Sequence, residues 1–333
     1  MNHQDWTSDR ILQTSGAYWA TSALHAAVVL DLFTVIGQQQ LEGATVAREL
    51  NVPEDGLTRL LDAVTAMGLL TKSAGRYTTT DASRTYLGKD SERYLGYIIR
   101  HHHHLMESWA KLPEAVRTGR SVRLPVREKG ADAREAFLMG MFNLAMQLAP
   151  RIVAVVDLSG CRSLLDLGGG PGTYAIHFCR HYPELGATVM DLPTTRPFAE
   201  KTIARMGMDR RVSFTAGDYL DDKIPGTYDA VWMSHILHGE SPADCRRLID
   251  KAARCLNPGG VVVIHEFILN DSGDGPLFPA LFSLNMLLGT DGGRAYRQGQ
   301  LAEMLADAGL EQIQRLDFTG VNDSGLIQGV KPA

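Results

Sequence analysis

Short apolar segments in the second half of the chain predict β-strands. The strands are expected at 163–167, 188–191, 212–218 and 228–234, because short apolar runs of this kind are typical of buried strands. A helix is expected after the first strand, at 173–182. Strands that alternate with helices indicate a doubly wound parallel sheet. We therefore predict an α/β fold here, with a ligand site at the carboxyl ends of the strands.

A glycine-rich loop follows the first predicted strand. Asp166 lies near the end of the strand, and Gly168, Gly170 and Gly172 follow at alternate positions. Glycine has no Cβ, so the backbone can turn tightly and approach a ligand closely. The N-terminus of the following helix favours negative charge. The spacing is G-x-G-x-G, since the third glycine of a dinucleotide-binding G-x-G-x-x-G loop would fall on Thr173.

The later strands also end in polar residues. Asp191 lies nineteen positions after Gly172, where a carboxylate of doubly wound folds reaches the ribose hydroxyls of a nucleotide. The remaining strand ends carry Asp218 and Tyr219 after the third strand, and Ser234, His235 and His238 after the fourth. Together with the glycine loop, these residues predict a site for a nucleoside-sized ligand.

At this point the chain resembles the class I S-adenosylmethionine-dependent methyltransferases. More narrowly, it resembles the small-molecule O-methyltransferases with an N-terminal dimerisation domain, such as the plant caffeate and bacterial acetylserotonin-type enzymes. The matching segments are D-L-G-G-G-P-G at 166–172, D-L-P at 191–193, G-D-Y at 217–219, S-H-I-L-H at 234–238 and N-P-G-G-V-V-V-I-H-E at 257–266. The likeness extends over nearly the whole chain.

The resemblance implies a cofactor and the residues that hold it. The expected cofactor is S-adenosyl-L-methionine, the expected product is S-adenosyl-L-homocysteine, and no metal is expected. The implied cofactor-binding residues are Asp166, Gly168, Gly170, Gly172, Asp191, Leu192, Asp218, Tyr219 and Ser234.

The N-terminal part has a different pattern. Helices are expected at 11–36, 45–50 and 54–67, with a turn at 51–53 between the last two, and two short strands at 69–72 and 76–79. This order indicates a winged helix-turn-helix, which the resemblance implies to be a dimerisation element. The predicted helix 54–67 carries Arg59 as its only base, whereas a helix that faces phosphates is expected to be basic. We predict a mainly α-helical winged-helix dimerisation domain at 1–100, a helical connector at 101–150 that contributes to the substrate pocket, and a Rossmann-like methyltransferase domain at 151–333.

Composition and charge agree with an enzyme that acts on small molecules, and the amphipathic N-terminal helices predict a homodimer. A net charge of −5 argues against a protein built mainly to bind nucleic acid. The four cysteines have neither metal-ligand spacing nor the density of a disulfide framework, and the N-terminus lacks the pattern of a signal peptide, so a cytoplasmic location is expected. No apolar run reaches the roughly 20 residues that span a bilayer. The four consecutive histidines at 101–104 cannot all face one ion on a helix.

His238 occupies the position of the general-base histidine in the family's H-D-W-x-D segment. An imidazole suits the removal of a hydroxyl proton near neutral pH. This chain has Gly239 and Glu240 where the family has Asp and Trp, and Ala295 where plant relatives have the glutamate that orients the base. A base without an orienting carboxylate is less reliably held in one tautomer. We predict that Glu266, after the fifth strand, substitutes for it.

The sequence leaves the methyl acceptor open. The preferred acceptor is a hydroxyl of a small metabolite, and the implied substrate-binding residues are Trp109, Met139, Phe142, Asn143, His235, Phe282, Asn285 and Met286. Methylation of a thioether or an amine, which would need no general base, is an alternative, as is C-methylation. An alternative of another class is a non-catalytic regulator that has kept the cofactor site.

Overall fold

The computed structural model of the protein describes residues 5–124 and 130–333. The chain divides into two compact units. One comprises the residues up to Met106 together with Glu135–Asn143, and the other comprises Glu107–Arg134 and Leu144–Ala333. The predicted division into 1–100, 101–150 and 151–333 stays a prediction, and residues 125–129 of the predicted connector lie outside the described part of the chain.

The first unit combines helices with a small antiparallel sheet. Its elements are α1 (Ser8–Gly16), α2 (Tyr18–Val29), α3 (Leu32–Ile36), β1 (Leu41–Glu42), α4 (Gly43–Leu50), α5 (Glu54–Ala66), β2 (Leu70–Ser73), β3 (Arg76–Thr79), α6 (Asp81–Leu87) and most of α7 (Gly96–Ala110). The strands pair in the order β1-β3-β2. Leu32, Phe33, Leu61 and Tyr77 lie in its core.

The predicted helical segment 11–36 is helical but divided. Three helices cover it: α1 ends at Gly16, and α2 and α3 are separated because Asp31 adopts a left-handed conformation with φ 58°. A helix cannot continue through such a residue. The turn lets Val28 and Leu32 both reach the core of this unit. The predicted helix 54–67 and the two predicted strands lie within one residue of α5, β2 and β3.

The second unit contains the larger sheet and the helices that cover it. After α8 (Leu112–Thr118) and α9 (Ala131–Ile152), the elements are β4 (Ser163–Leu167), α10 (Thr173–His181), β5 (Gly186–Asp191), α11 (Arg196–Arg205), β6 (Val212–Ala216), β7 (Tyr228–Ser234), α12 (Pro242–Arg254), β8 (Leu256–Glu266), α13 (Leu277–Gly289), α14 (Gln298–Asp307), β9 (Glu311–Arg315) and β10 (Gly325–Val330).

The sheet has the strand order β6-β5-β4-β7-β8-β10-β9. The pairs from β6 to β8 are parallel, and β10 pairs antiparallel with both β8 and β9. In the sheet, β5 lies on one side of β4 and β7 lies on the other side. The carboxyl ends of β4, β5 and β7 therefore meet at the point where the strand order reverses, which is where open sheets bind ligands.

Helices cover both faces of this sheet, and the side chains of β4 alternate between the two faces. Leu164 packs in a core with α10 and the end of α9, whereas Leu165 and Leu167 pack in a second core with α12 and α14. Successive side chains of a strand point to opposite faces. Asp166 therefore lies on the same face of the sheet as Leu164, which is the face that α10 covers.

Within residues 5–124 and 130–333, every helix is too short or too polar to cross a bilayer.

Candidate active site

The glycine loop turns between β4 and α10. Gly168, Gly170 and Gly172 all have positive φ angles, of 68°, 54° and 77°, which residues with a Cβ rarely adopt. A Cβ at Gly168 would lie 2.6 Å from the Ile236 side chain and 3.4 Å from Tyr219. A Cβ at Gly170 would meet no protein atom within 4 Å, so this part of the loop faces open space.

Asp166 lies beneath the loop and is fully buried. Its Oδ2 accepts a hydrogen bond from the Ala175 backbone N–H at 3.2 Å, and a Cβ at Gly169 would lie 2.5 Å from its carboxyl carbon. Burial, together with the charge of Asp191, raises the pKa of Asp166 to about 7, against the opposing hydrogen bond from Ala175. The carboxyl group thus joins the loop to the first turn of α10 and does not reach the outer face of the loop.

Asp191 connects the loop to the turn that follows β5. Its Oδ2 accepts from the Gly170 N–H at 2.8 Å, and its Oδ1 accepts from the Leu192 N–H at 2.7 Å and the Thr195 hydroxyl at 2.8 Å. Burial raises the pKa of Asp191, and these hydrogen bonds oppose that shift. Oδ1 thus accepts two hydrogen bonds and Oδ2 only one, so Oδ2 keeps lone-pair capacity for a further donor.

The remaining predicted cofactor residues lie on neighbouring elements. Asp218 Oδ1 accepts from the Leu220 N–H at 2.9 Å, and the Tyr219 hydroxyl donates to Glu240 Oε1 at 2.9 Å. Ser234 Oγ lies 2.9 Å from Nδ1 of the buried His265. Burial lowers the pKa of His265 well below its ordinary value, so this imidazole is neutral.

His238 and Glu266 form a hydrogen-bonded pair between the ends of β7 and β8. His238 Nδ1 lies 2.8 Å from Glu266 Oε2, and the His238 backbone N–H donates to Glu266 Oε1 at 3.2 Å. The Phe267 N–H also donates to Oε2, at 3.1 Å. The structure therefore brings Glu266 to His238, as the sequence analysis expected. The catalytic roles of the two residues remain a proposal, which is argued below.

The charge state of Glu266 fixes the tautomer of His238. Burial alone would raise the pKa of Glu266, but the adjacent His238 with its hydrogen bond, and the neighbouring His235, hold it well below its ordinary value. An ionised carboxylate only accepts hydrogen bonds. We therefore assign the Nδ1–H tautomer to neutral His238, which leaves a lone pair on Nε2.

His235 lies beside this pair in a strained conformation. Its φ is 57°, which is uncommon for a residue with a bulky side chain. Its Nδ1 lies 3.5 Å from Glu266 Oε2, at the limit of hydrogen bonding. One ligand atom each from His235, His238 and Glu266 lie within 4.8 Å of one another, an arrangement that could also hold a cation.

Aromatic rings and one face of α13 surround His238. Its ring centroid lies 4.7 Å from that of Phe282, and the ring of His235 lies 4.4 Å from that of Phe267. Asn285 and Met286 follow Phe282 at the i+3 and i+4 positions of α13, which share a helix face. Three of the predicted substrate residues are therefore neighbours on one helix that contacts the candidate base.

The other predicted substrate residues are distributed over both units. Trp109 is half-buried in α7 and belongs to the second unit, whereas Met139, Phe142 and Asn143 on α9 belong to the first. Asn143 Oδ1 is buried and has no hydrogen-bond partner in the described part of the chain. Their role in an acceptor pocket stays a prediction.

Sequence reasoning missed Arg123. Its Nη1 donates to Asn285 Oδ1 at 2.9 Å, so the guanidinium lies beside a predicted substrate residue. Arg123 belongs to no motif, and its partner lies 162 positions away. The sequence therefore carried no local signal for it.

The chain matches models of two linked protein domains. The model of the O-methyltransferase domain matches residues 109–311, and that of the O-methyltransferase dimerisation domain matches residues 12–89. The chain therefore belongs to the O-methyltransferase family whose members carry an N-terminal dimerisation domain.

Individual relatives agree with this assignment. The chain is similar to 3-hydroxy-5-methyl-1-naphthoate 3-O-methyltransferase of Streptomyces sahachiroi, with 34% identity over 94% of this chain and 92% of the relative. It is 32% identical to L-tyrosine C(3)-methyltransferase of Streptomyces lavendulae over 92% of this chain and 88% of the relative. Its structure resembles human N-acetylserotonin methyltransferase in complex with S-adenosylmethionine, with a TM-score of 0.88, 25% identity and full coverage of both chains.

These findings confirm several predictions from the sequence. The protein is an α/β, S-adenosylmethionine-dependent methyltransferase with a Rossmann-like sheet. The preferred prediction of O-methylation agrees with the family.

Proposed function

We propose that this enzyme methylates a hydroxyl of a small aromatic metabolite, with His238 as general base and Glu266 as the residue that orients it. The observation that carries the proposal is the 2.8 Å hydrogen bond between His238 Nδ1 and Glu266 Oε2. Glu266 thus supplies the orienting carboxylate that Gly239 and Ala295 cannot provide. A histidine held in this way presents Nε2 as a proton acceptor.

The residues at the glycine loop fit S-adenosylmethionine. The open space outside Gly170 lets a ligand approach the backbone, and Asp191 has spare acceptor capacity at the same place. We expect the loop to pass under the methionine part, Asp191 and Leu192 to lie at the ribose, and Asp218 and Tyr219 to lie near the adenine. We assign Asp166, which lies beneath the loop, the task of holding the loop on α10 rather than touching the ligand.

The cofactor, when bound, supplies an electrophilic sulfonium methyl group. The hydroxyl of the acceptor gives its proton to His238 Nε2 while its oxygen forms the new bond to the methyl carbon. The glycine loop, Asp191 and Leu192 would hold the cofactor, which would give up this methyl group and leave as S-adenosylhomocysteine. Charge on the resulting imidazolium is stabilised by the ionised Glu266, whose pKa is held low. The protein's other task is to align the acceptor oxygen and exclude water.

The surroundings of His238 favour an aromatic acceptor. Phe282 lies against the His238 ring, and Phe267 and Phe278 lie against Phe282 at centroid distances of 4.6 Å and 5.9 Å. Flat apolar surfaces of this kind bind aromatic ligands with little loss of conformational entropy. The relative from S. sahachiroi, which is named as a hydroxynaphthoate O-methyltransferase, supports the same class of acceptor.

The contact between Glu266 and His238 helps to choose among the alternative functions. Methylation of a thioether requires no proton transfer, and a histidine oriented by a buried carboxylate beside the acceptor would then have no task. C-methylation of a phenol ring, as in the name of the relative from S. lavendulae, still benefits from removal of the phenolic proton. A regulator without activity would have no need of a histidine held in one tautomer. We therefore place O-methylation first.

The experiment is a scan of acceptors with radiolabelled S-adenosylmethionine. The panel contains 3-hydroxy-1-naphthoate, L-tyrosine, an aromatic amine and an aromatic thioether, and the position of the methyl group is determined by NMR. We expect transfer to oxygen. Transfer only to carbon, nitrogen or sulfur would overturn the proposal, and no transfer to any member while cofactor binding is intact would favour the regulator.

The first unit supports a homodimer. Trp6, which precedes α1, and Ile11, Leu12, Tyr18 and Trp19 on α1 and α2 are each more than half exposed. Exposed apolar patches on soluble proteins usually mark an interaction site. The family model of the dimerisation domain covers these helices from residue 12. Light scattering should give a particle of twice the 36.4 kDa chain mass, and a particle of one chain mass at micromolar concentration would count against the dimer.

Binding of nucleic acid is not expected from this unit. Arg59, the only base of α5, pairs with Asp55 on the same helix at 2.9 Å, which leaves α5 with no unpaired positive charge for phosphates. The cytoplasmic location stays a prediction from the cysteine spacing.

A further inference from the structure

His235 directly follows β7, and its neighbours hold it in one orientation. Its backbone N–H donates to the His265 carbonyl at 2.9 Å, and its φ of 57° turns the chain sharply at this point. Its ring centroid lies 4.4 Å from that of Phe267 and 4.3 Å from that of His265. A bulky residue keeps a positive φ only where its surroundings impose it, and such residues cluster at functional sites. The fold thus fixes an imidazole beside Glu266 at a cost in backbone strain.

The Nδ1 atom of His235 is buried and has no hydrogen-bond partner within residues 5–124 and 130–333. It lies 3.5 Å from Glu266 Oε2, beyond the range of about 2.7–3.2 Å that N–H···O hydrogen bonds prefer. Without a proton, this nitrogen turns a lone pair toward a carboxylate, and with a proton it forms only a long contact. Buried polar atoms normally have partners. A cation between the nitrogen and the carboxylate would provide a partner for both.

The cluster of His235, His238 and Glu266 has the dimensions of a metal site. One ligand atom from each residue lies within 4.8 Å of the other two. Tetrahedral zinc sites with bonds of about 2.0–2.1 Å place neighbouring ligand atoms about 3.3 Å apart. The 3.5 Å between His235 Nδ1 and Glu266 Oε2 is close to this spacing. The 2.8 Å between His238 Nδ1 and the same oxygen would have to widen by about 0.5 Å, so only one ligand has to shift.

The ligand types select the kind of ion. Two imidazoles and one carboxylate suit Zn²⁺ and similar transition metals, whereas Mg²⁺ and Ca²⁺ prefer sites made of oxygen atoms alone. Three protein ligands leave a fourth position for water. The side chains of His235 and His238 are 20% and 15% exposed, and that of Glu266 is 3% exposed. An ion therefore approaches from the side of the imidazoles and meets the carboxylate at the back of the site.

We propose that His235, His238 and Glu266 bind one divalent transition-metal ion, for which Zn²⁺ is the test case, and that the bound ion inhibits methyl transfer. Coordination takes the lone pair of His238 Nδ1, so the single proton of the neutral imidazole moves to Nε2. That proton occupies the position at which the base accepts the proton of the hydroxyl. The ion is thus an inhibitor and not a cofactor. Inhibition rests on the proposed function, whereas binding of the ion does not.

Calorimetry on the full chain in complex with S-adenosylhomocysteine tests the site. Zn²⁺ and Mg²⁺ are titrated into the wild type and His235→Asn, because asparagine tolerates a positive φ. We expect the substitution to weaken Zn²⁺ binding at one site per chain by about 100-fold, since even the outer partners of metal ligands contribute about 10- to 100-fold. Mg²⁺ should bind this site far more weakly than Zn²⁺.

Two controls separate this site from other histidines. His181→Gln removes an exposed imidazole at the end of α10 and should leave the Zn²⁺ affinity of the site unchanged. The four histidines at 101–104 are present in every variant, so any Zn²⁺ that they bind is common to all titrations. The difference between the wild type and His235→Asn therefore reports the cluster alone.

Inhibition is measured as initial-rate methyl transfer in buffered Zn²⁺. The wild type should lose turnover at the concentrations that fill the site and regain it with EDTA, and His235→Asn should need about 100-fold more Zn²⁺ for the same fractional loss. The metal site is wrong if the wild type binds no Zn²⁺, binds Mg²⁺ as tightly, or binds Zn²⁺ no better than His235→Asn. If that variant fails to fold, His235→Gly replaces it, because glycine adopts a positive φ without strain.

Failure of the inhibition and failure of the proposed function give different results. Suppose that Zn²⁺ fills the site but turnover persists. The inhibitory role is then wrong if His238→Ala has lost its turnover, because the base is needed and the ion does not block it. The proposed function is wrong if His238→Ala has kept its turnover, because the reaction then needs no base at this position.

Discussion

Replacing Glu266 by glutamine tests the coupling between this residue and His238. The carboxylate accepts three hydrogen bonds, from His238 Nδ1, the His238 N–H and the Phe267 N–H. A glutamine has one oxygen and one N–H₂ group. With the oxygen at Oε1, the amide nitrogen donates to Nδ1, and the proton of His238 moves to Nε2, where it blocks the base. With the oxygen at Oε2, the amide nitrogen faces the His238 N–H.

Both arrangements damage the site, and the first removes its function. Loss of the correct tautomer should reduce turnover by about 10²–10⁴-fold, which corresponds to about 3–5 kcal/mol in the activation barrier. In either arrangement one backbone N–H loses its acceptor, so the free energy of unfolding should fall by about 1–3 kcal/mol. Because Glu266 lies at the acceptor end of the site, the affinity for S-adenosylhomocysteine should change little.

The assay is initial-rate methyl transfer at saturating cofactor, with cofactor affinity measured by calorimetry. Glu200→Gln is a matched control, since the same chemical change there affects only an exposed ion pair with Arg196 and should leave turnover intact. A Glu266→Gln enzyme that is folded, binds cofactor and keeps more than a third of wild-type turnover would refute the reasoning.

Two further predictions concern the cofactor loop. Asp191→Ala should weaken cofactor binding by about 1–3 kcal/mol, because a buried hydroxyl pair loses its acceptor; undiminished affinity in calorimetry would defeat the assignment. Asp166 has a folded pKa of about 7 against 3.8 for the free side chain, so its protonated form is favoured in the fold, and its contribution to stability is present below pH 3.8 and lost as the pH rises through 7. Asp166→Asn should remove this dependence, so its free energy of unfolding should rise by about 2–3 kcal/mol relative to that of the wild type between pH 5 and pH 8. Urea denaturation at several pH values measures this difference in free energy. A difference that does not change with pH would contradict the prediction.

Much of the fold could be predicted because its signals are local. The apolar runs of β4 and β7 and the glycines after β4 determine their own conformations, and the predicted bounds of these two strands equal the observed ones. The break at Asp31 was not predicted, since nothing in the sequence around it marks a left-handed residue. The helical pattern on both sides of it is continuous.

The site was predictable where motifs carried it and unpredictable where tertiary contacts did. Glu266 was identified as a substitute for the missing carboxylate because it directly follows an apolar strand, and the structure places it at His238. The placement of Asp166 could have been inferred from alternation, because it shares a face of β4 with the buried Leu164. The placement of Arg123 could not be inferred from the sequence, because its partner Asn285 on α13 lies 162 positions away.

The central claim is that His238 removes the proton of the acceptor hydroxyl, and turnover of His238→Ala tests it most directly. With the hydroxyl acceptor identified in the scan, the account predicts that turnover falls by about 10²–10⁴-fold while cofactor affinity is nearly intact. A His238→Ala enzyme that retains most of its turnover would contradict the general-base role.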